Sequence, residues 1–128
     1  MIILAIDFDS TLEDIDNKVI FPAIGKPNLD LIQWLTMRKK LGDKLILLTV
    51  RENHDERRLL DKAVDFCRHY GLKFDAVNEN IQPNNYAWQP RKIWFDYLID
   101  DRVIPVSTWQ LYMDSIEQYK RQPLQETK

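Results

Sequence analysis

Short apolar runs alternating with stretches of helical periodicity constrain this chain more than any other feature. Ile2–Ile6 is continuously apolar, the pattern of a parallel strand covered on both faces. Lys44–Thr49 (KLILLT) is a second run, Lys73–Val77 (KFDAV) a weaker third and Phe95–Asp100 (FDYLID) a fourth. Val103–Val106 (VIPV) fits a short fifth strand, which Pro105 confines to a sheet edge. A helix is predicted from Pro27 to about Lys40, with Leu31, Trp34 and Leu35 on one face and Gly42 ending it. A second opens at His54 or Asp55 and stops at Gly71. Its stripe of Leu60, Ala63, Val64, Cys67 and Tyr70 follows i, i+3, i+4 spacing, which makes Cys67 a core residue. Thr108 caps a last helix carrying Trp109, Tyr112, Met113 and Ile116. Strands alternating with helices predict an α/β fold: a doubly wound, Rossmann-like three-layer sandwich around a central parallel sheet. The 128 residues suit one domain, taken as 1–121, with a polar tail at 122–128 that frays.

The formal net charge of −2 gives no general attraction to nucleic acid or anionic membrane. A single cysteine forms no internal disulfide and fits a reducing compartment. No run approaches the roughly 18 apolar residues of a membrane span, and the apolar start is too short for a signal-peptide core. The expectation is a cytoplasmic protein with no membrane partner and no stable nucleic-acid binding.

Against this ordinary background, the first strand ends abruptly in acid. Asp7 and Asp9 stand two positions apart, with Ser10 and Thr11 behind them. Two unit charges about 4 Å apart repel by about 4 kcal/mol at an effective dielectric near 20, so something must offset that cost. Parallel sheets bind ligands beyond the carboxyl ends of their strands, at the point where strand order reverses. Asp7 and Asp9 end the first strand, Thr49 and Arg51 the second, and Asp100 and Asp101 the fourth. Four carboxylates therefore converge where a ligand belongs. A divalent cation would offset their repulsion, and hard oxygen ligands suit Mg²⁺.

Taken together, these residues resemble the haloacid dehalogenase superfamily, most of whose members are Mg²⁺-dependent phosphatases. Its first motif, Asp-x-Asp-x-Thr after an apolar strand, reads here as Asp7-Phe8-Asp9-Ser10-Thr11. A Thr or Ser ending the second strand reads as Thr49, a Lys ahead of the last motif is best matched by Lys92, and the closing acidic pair reads as Asp100-Asp101. The resemblance covers about residues 1 to 105. "LIDDR" is similar to the end of the deoxyribonucleotidase branch, and the whole order is closer still to small bacterial and phage phosphatases of the superfamily. The position after Asp9, often Gly there, is Ser10 here.

The resemblance implies a role for each residue. Asp7 attacks phosphorus and forms an aspartyl-phosphate. Asp9 protonates the leaving oxygen, then activates the hydrolytic water, and its backbone carbonyl binds the metal. Asp7, Asp100 and Asp101 complete the Mg²⁺ site, with Asp101 rather than Asp100 the direct ligand of the pair. Thr49 and Lys92 grip phosphate oxygens, Lys73 or Arg91 being alternatives to Lys92, and Ser10 adds a substrate contact. Arg51 either binds the phosphate or leaving group or forms an ion pair at a helix start.

The stretch Leu12–Lys26 is long enough for a hairpin flap, and Asn78–Arg91 is about as short, so no cap domain is expected. An open mouth suits a large phosphorylated substrate or closure by a second subunit, as in a homo-oligomer. Small molecules, nucleotides and macromolecular phosphate ends all remain candidates. Tyr86, Trp88 and Arg91 form either a platform for a base or sugar or the packing of a Pro-containing loop. Two other readings compete: a phosphoacceptor receiver domain, in which the motif order differs, and a non-catalytic binding module on the same fold.

Overall fold

A computed structural model of the chain describes residues 1–84 and 86–120. The tail at 122–128 and its junction at residue 121 lie outside the described residues. Four strands, β1 (Ile3–Asp7), β2 (Lys44–Leu48), β3 (Ala76–Val77) and β4 (Tyr97–Ile99), form one sheet in the order β3-β2-β1-β4. All pairings are parallel: Ile3 stands opposite Lys44 and Asp7 opposite Leu48, while Leu4 meets Tyr97 and Ile6 meets Ile99. The α/β class with a central parallel sheet is the one the sequence predicts.

Handedness explains where the helices lie. From β1 to β2 to β3 the chain moves in one direction across the sheet, so right-handed crossovers place both connecting helices on the same face. These are α1 (Leu29–Lys40) and α2 (Leu59–His69). Ile32 and Leu35 of α1, with Ala63 and Cys67 of α2, bury Leu4, Ile6, Leu45 and Leu47. The step from β3 back to β4 reverses direction, so the 78–96 connection crosses the opposite face. Among the described residues no helix forms there; Ile81, Ile93 and Phe95 cover Ala5, Ile46 and Ala76 directly. The third layer of this sandwich is an irregular segment. Alternation along β1 and β2 divides the two cores, because successive strand side chains point to opposite faces.

One device recurs at the sheet's lower edge. An aspartate stands one position before each of β2, β3 and β4, and its carboxylate takes up an N–H in the neighbouring strand or, for Asp43, one residue before it. Asp43 accepts from Ile2 at 2.9 Å, Asp75 from Leu45 at 2.8 Å and Asp96 from Ile3 at 2.7 Å. The Ile2 N–H, and then Arg38, hold the Asp43 carboxyl below the usual carboxylate range. The third and fourth strands are shorter than the predicted Lys73–Val77 and Phe95–Asp100, and at their lower ends Asp75 and Asp96 bond to Leu45 and Ile3 through both backbone N–H and side chain.

Both sheet-covering helices end as predicted. Gly42 and Gly71 adopt positive φ, and N–H groups there and one residue on return to the last helical turn. Their starts differ from expectation. Asn28, not Pro27, caps α1 by accepting from Leu31, and α2 begins four or five residues late because Asn53 holds its first turn through Asp61. Trp34 lies outside the buried stripe of α1, with the Arg38 guanidinium 5.8 Å over its ring. Cys67 is fully buried, and burial pushes its thiol up to about 12, as befits a core residue.

The fifth strand is a correction: Val103–Val106 makes no strand. Pro105, lacking an N–H for a ladder, instead precedes a 3₁₀ segment at Val106–Tyr112, where that loss costs little. This segment kinks at Thr108 and leads into α3 (Met113–Lys120), so Thr108 does not cap the last helix. Among the described residues, no helix is long and apolar enough to cross a membrane.

Candidate active site

The reversal of strand order falls between β1 and β4, so the crevice beyond their carboxyl ends is the position a parallel sheet offers a ligand. Asp7 is the last residue of β1. Asp100 and Asp101 follow directly on β4, in a turn closed by the Arg102 N–H donating to Asp100 Oδ1 at 2.8 Å. Because β4 pairs with β1, the three carboxylates meet: one oxygen from each lies within 4.8 Å of the others. Burial first, then the charge of Asp100 and a hydrogen bond with Asp101, push the Asp7 carboxyl up to about 7. Thr11, buried behind it, donates to Asp7 Oδ2 at 3.2 Å and fixes the turn that Phe8 begins.

Asp9 does not join that group. Its carboxylate is turned to Arg51, which donates from Nη2 to Oδ1 at 2.7 Å and from Nε to Oδ2 at 3.0 Å. Arg51 is fully buried, sandwiched between the Phe8 and Phe21 rings at 5.1 and 4.9 Å, and also donates to the Pro22 carbonyl at 3.0 Å. It is neither a helix-start pair nor a residue open to substrate. Its partner lies forty-two positions back, a separation that no local pattern signals.

Thr49 follows directly on β2, one residue beyond the strand's end, with its hydroxyl accepting from the Arg51 N–H at 3.1 Å. Asn78 clasps the Thr49 backbone from both sides, donating to its carbonyl and accepting from its N–H. Lys92 is exposed, and its carbonyl is held by Asn80. A cavity of about 460 Å³ opens above the acidic group. Asp7, Asp9, Ser10, Asp100 and Asp101 line it, whereas Thr49, Arg51 and Lys92 do not. Tyr86 and Trp88 pack on each other at 5.5 Å, are exposed and stand outside the lining.

The other wall comes from residues the sequence reading left unassigned. Between Leu12 and Lys26 the chain makes no hairpin; it is a loop of turns organised by two buried acids. Glu13 accepts the Gly25 N–H at 2.8 Å and the Ser10 N–H at 3.3 Å. Burial raises its carboxyl, and those two bonds partly offset the rise. Asp14 accepts the N–H groups of Lys18 and Val19 at 2.7 and 3.1 Å. The acids of "LEDID" thus fold the loop inward, and Asn17, Val19, Phe21 and Ala23 reach the cavity. The signal was their place directly behind the Asp-x-Asp motif.

Gly25 permits this packing, since a Cβ there would lie 2.8 Å from the Asp14 Cβ. Gly25→Ala is expected to displace Asp14 and destabilise the protein by about 1–3 kcal/mol, read as a lower urea midpoint at unchanged slope.

No protein-family model matches the chain, and no curated protein matches it. A solved structure of a conserved protein from Bacteroides thetaiotaomicron does, with 31% sequence identity and a TM-score of 0.65 over 92% of this chain and 91% of that one.

Proposed function

The chain belongs to one family with that conserved Bacteroides thetaiotaomicron protein, and we propose that it is a Mg²⁺-dependent phosphomonoester hydrolase of the haloacid dehalogenase type. The observation that carries this reading is the meeting of Asp7, Asp100 and Asp101 at the strand-order reversal. The donor set fits the ion. Three carboxylates offer hard oxygens only, gathered within 4.8 Å of one another, and such a donor set suits Mg²⁺. The Asp9 backbone carbonyl would complete the protein ligands. When bound, Mg²⁺ offsets the repulsion between an anionic nucleophile and an anionic phosphate.

In this mechanism Asp7 forms a bond to phosphorus as the ester oxygen leaves, giving an aspartyl-phosphate. Asp9 delivers a proton to the leaving oxygen and then accepts one from the water that releases phosphate. Arg51 does not touch the ester. Its fork holds Asp9 in one orientation and pairs with the ionised form, the one that accepts a proton from water in the second step. The resemblance gives phosphate binding to Thr49 and Lys92; the cation lining the cavity is Arg102. A receiver domain would need its phosphorylated Asp at the end of β3. That strand ends at Val77, and Asn78, which follows it, is occupied with Thr49. A cytoplasmic setting accords with the single buried, free Cys67.

The test is release of p-nitrophenolate from p-nitrophenyl phosphate with Mg²⁺. Turnover should vanish with EDTA and return with excess Mg²⁺; absence of turnover under any divalent cation would sink the proposal. Mg²⁺ should also raise the melting temperature, since a ligand at 100 times its Kd stabilises the folded state by about 2.7 kcal/mol. Asp101→Ala is expected to weaken that response more than Asp100→Ala, as judged by calorimetry across a Mg²⁺ titration.

A further inference from the structure

The cavity wall facing the acidic group differs in chemistry from the group itself. Val19, Phe21, Ala23 and Val50 give it an apolar surface, and Ser10 and Asn17 give it hydroxyl and amide groups. Asn17 Oδ1 already accepts from the Ser10 hydroxyl at 2.9 Å, so among the described residues its amide N–H₂ is left to donate into the cavity. Six carboxylates line the whole space, and Arg102 is the one basic side chain among the lining residues. The two carboxylates of the loop, Glu13 and Asp14, are anchored by four backbone N–H groups and do not swing aside. The cavity's size, about 460 Å³, is that of a small-molecule site.

We propose that this wall binds the leaving group of the ester, and that the leaving group is a compact, uncharged, hydroxylated ring. This rests on the phosphatase reading and narrows it. The apolar side chains take a ring face, and Asn17 donates to a hydroxyl. A second phosphate or a phosphodiester backbone would enter the field of Glu13 and Asp14, with no lysine among the lining residues to offset it. Specificity therefore comes from the loop between Leu12 and Lys26. The Tyr86–Trp88 pair, outside the cavity lining, plays no part in it.

The experiment compares kcat/KM, with Mg²⁺, for glucose 6-phosphate against glucose 1,6-bisphosphate and for adenosine 5′-monophosphate against adenosine 3′,5′-bisphosphate, with p-nitrophenyl phosphate alongside. The sugar and nucleoside arms separate two sources of the same chemistry. In at least one arm the monophosphate should exceed its bisphosphate by about tenfold or more. Val19→Lys should narrow that gap by about threefold or more, because it supplies the missing cation at the wall. Asn17→Ala should lower the preference for the ring ester over p-nitrophenyl phosphate.

Equal rates on the members of both pairs, a preference for the bisphosphates, or no turnover of any ring ester while p-nitrophenyl phosphate is hydrolysed would overturn the leaving-group assignment and leave the phosphatase reading intact. A gap that Val19→Lys leaves unchanged, or a ring-ester preference that Asn17→Ala leaves unchanged, would overturn it as well. No turnover of p-nitrophenyl phosphate would overturn both.

Discussion

Asp7→Asn is expected to abolish phosphate release, a loss of about a thousandfold or more, and at the same time to make the metal-free protein more stable. The first effect follows from chemistry, since an amide of the same shape is a poor nucleophile for phosphorus. The second follows from the environment of Asp7. Burial and the neighbouring Asp100 and Asp101 raise its carboxyl from 3.8 to about 7. A carboxyl raised in the folded state favours folding while it is protonated, below about pH 4. That contribution is lost as pH rises through about 7. Metal-free protein should therefore melt at lower temperature at pH 8 than at pH 5. Asn carries no charge and removes most of that slope; Glu13, raised by burial in the same direction, retains some. Asp7 is half-buried, so solvent screening brings the gain at pH 8 to about 1–2 kcal/mol, or roughly 3–8 °C. Saturating Mg²⁺ should reverse the ranking, because only the wild type keeps the full ligand set. Thermal melts of both proteins at the two pH values, with and without Mg²⁺, check all of this.

Arg51→Met carries the second large expectation. Methionine fills part of the space between Phe8 and Phe21 but leaves the Asp9 carboxylate without its fork and the Pro22 carbonyl without its donor. Removing one member of a buried, hydrogen-bonded charge pair typically costs about 3–5 kcal/mol. Asp9 is partly exposed, which puts the expected loss at the low end, about 2–3 kcal/mol. Turnover should fall by about tenfold or more even where the variant stays folded, because Asp9 loses its orientation. Arg51→Lys should recover little, since a single ammonium does not make the two-pronged contact and reach Pro22 as well. Urea unfolding and kcat on p-nitrophenyl phosphate measure the two effects separately. A folded Arg51→Met protein with wild-type turnover would remove Arg51 from the account.

The convergence of Asp7 with Asp100 and Asp101 was legible in the sequence because each lies at the end of an apolar run. Parallel strands bring their carboxyl ends to one edge whatever their order. The sheet order itself was not legible, and with it went the fact that β1 and β4 are neighbours at the reversal. Asp9 was grouped with the other acids because spacing shows which residues share a strand end. It does not show that a buried arginine forty-two positions later turns one of them away. The length of Leu12–Lys26 says only that it is long enough for a hairpin flap. Glu13 and Asp14 instead spend their charges on backbone N–H groups, a use of acidic side chains that looks in sequence like solvated surface. The same is true of Asp43, Asp75 and Asp96, whose position before each strand is regular but whose hydrogen bonds run to a neighbouring strand. Val103–Val106 has strand composition, yet its proline sets up a helical turn. Composition records what a segment tolerates, and pairing depends on an available edge.

The central claim is that Asp7 carries the phosphoryl group and Asp9 is needed to discharge it. Asp9→Asn separates the two steps, because p-nitrophenolate leaves without a proton whereas the aspartyl-phosphate needs a base to activate water. Mixed rapidly with p-nitrophenyl phosphate and Mg²⁺, this variant should release a burst of one p-nitrophenolate per chain, followed by slow turnover. Acid quenching during the burst should then find one phosphoryl group on the peptide that contains Asp7. A linear time course at the wild-type rate, no burst at all, or a phosphoryl group on any other peptide would contradict the account.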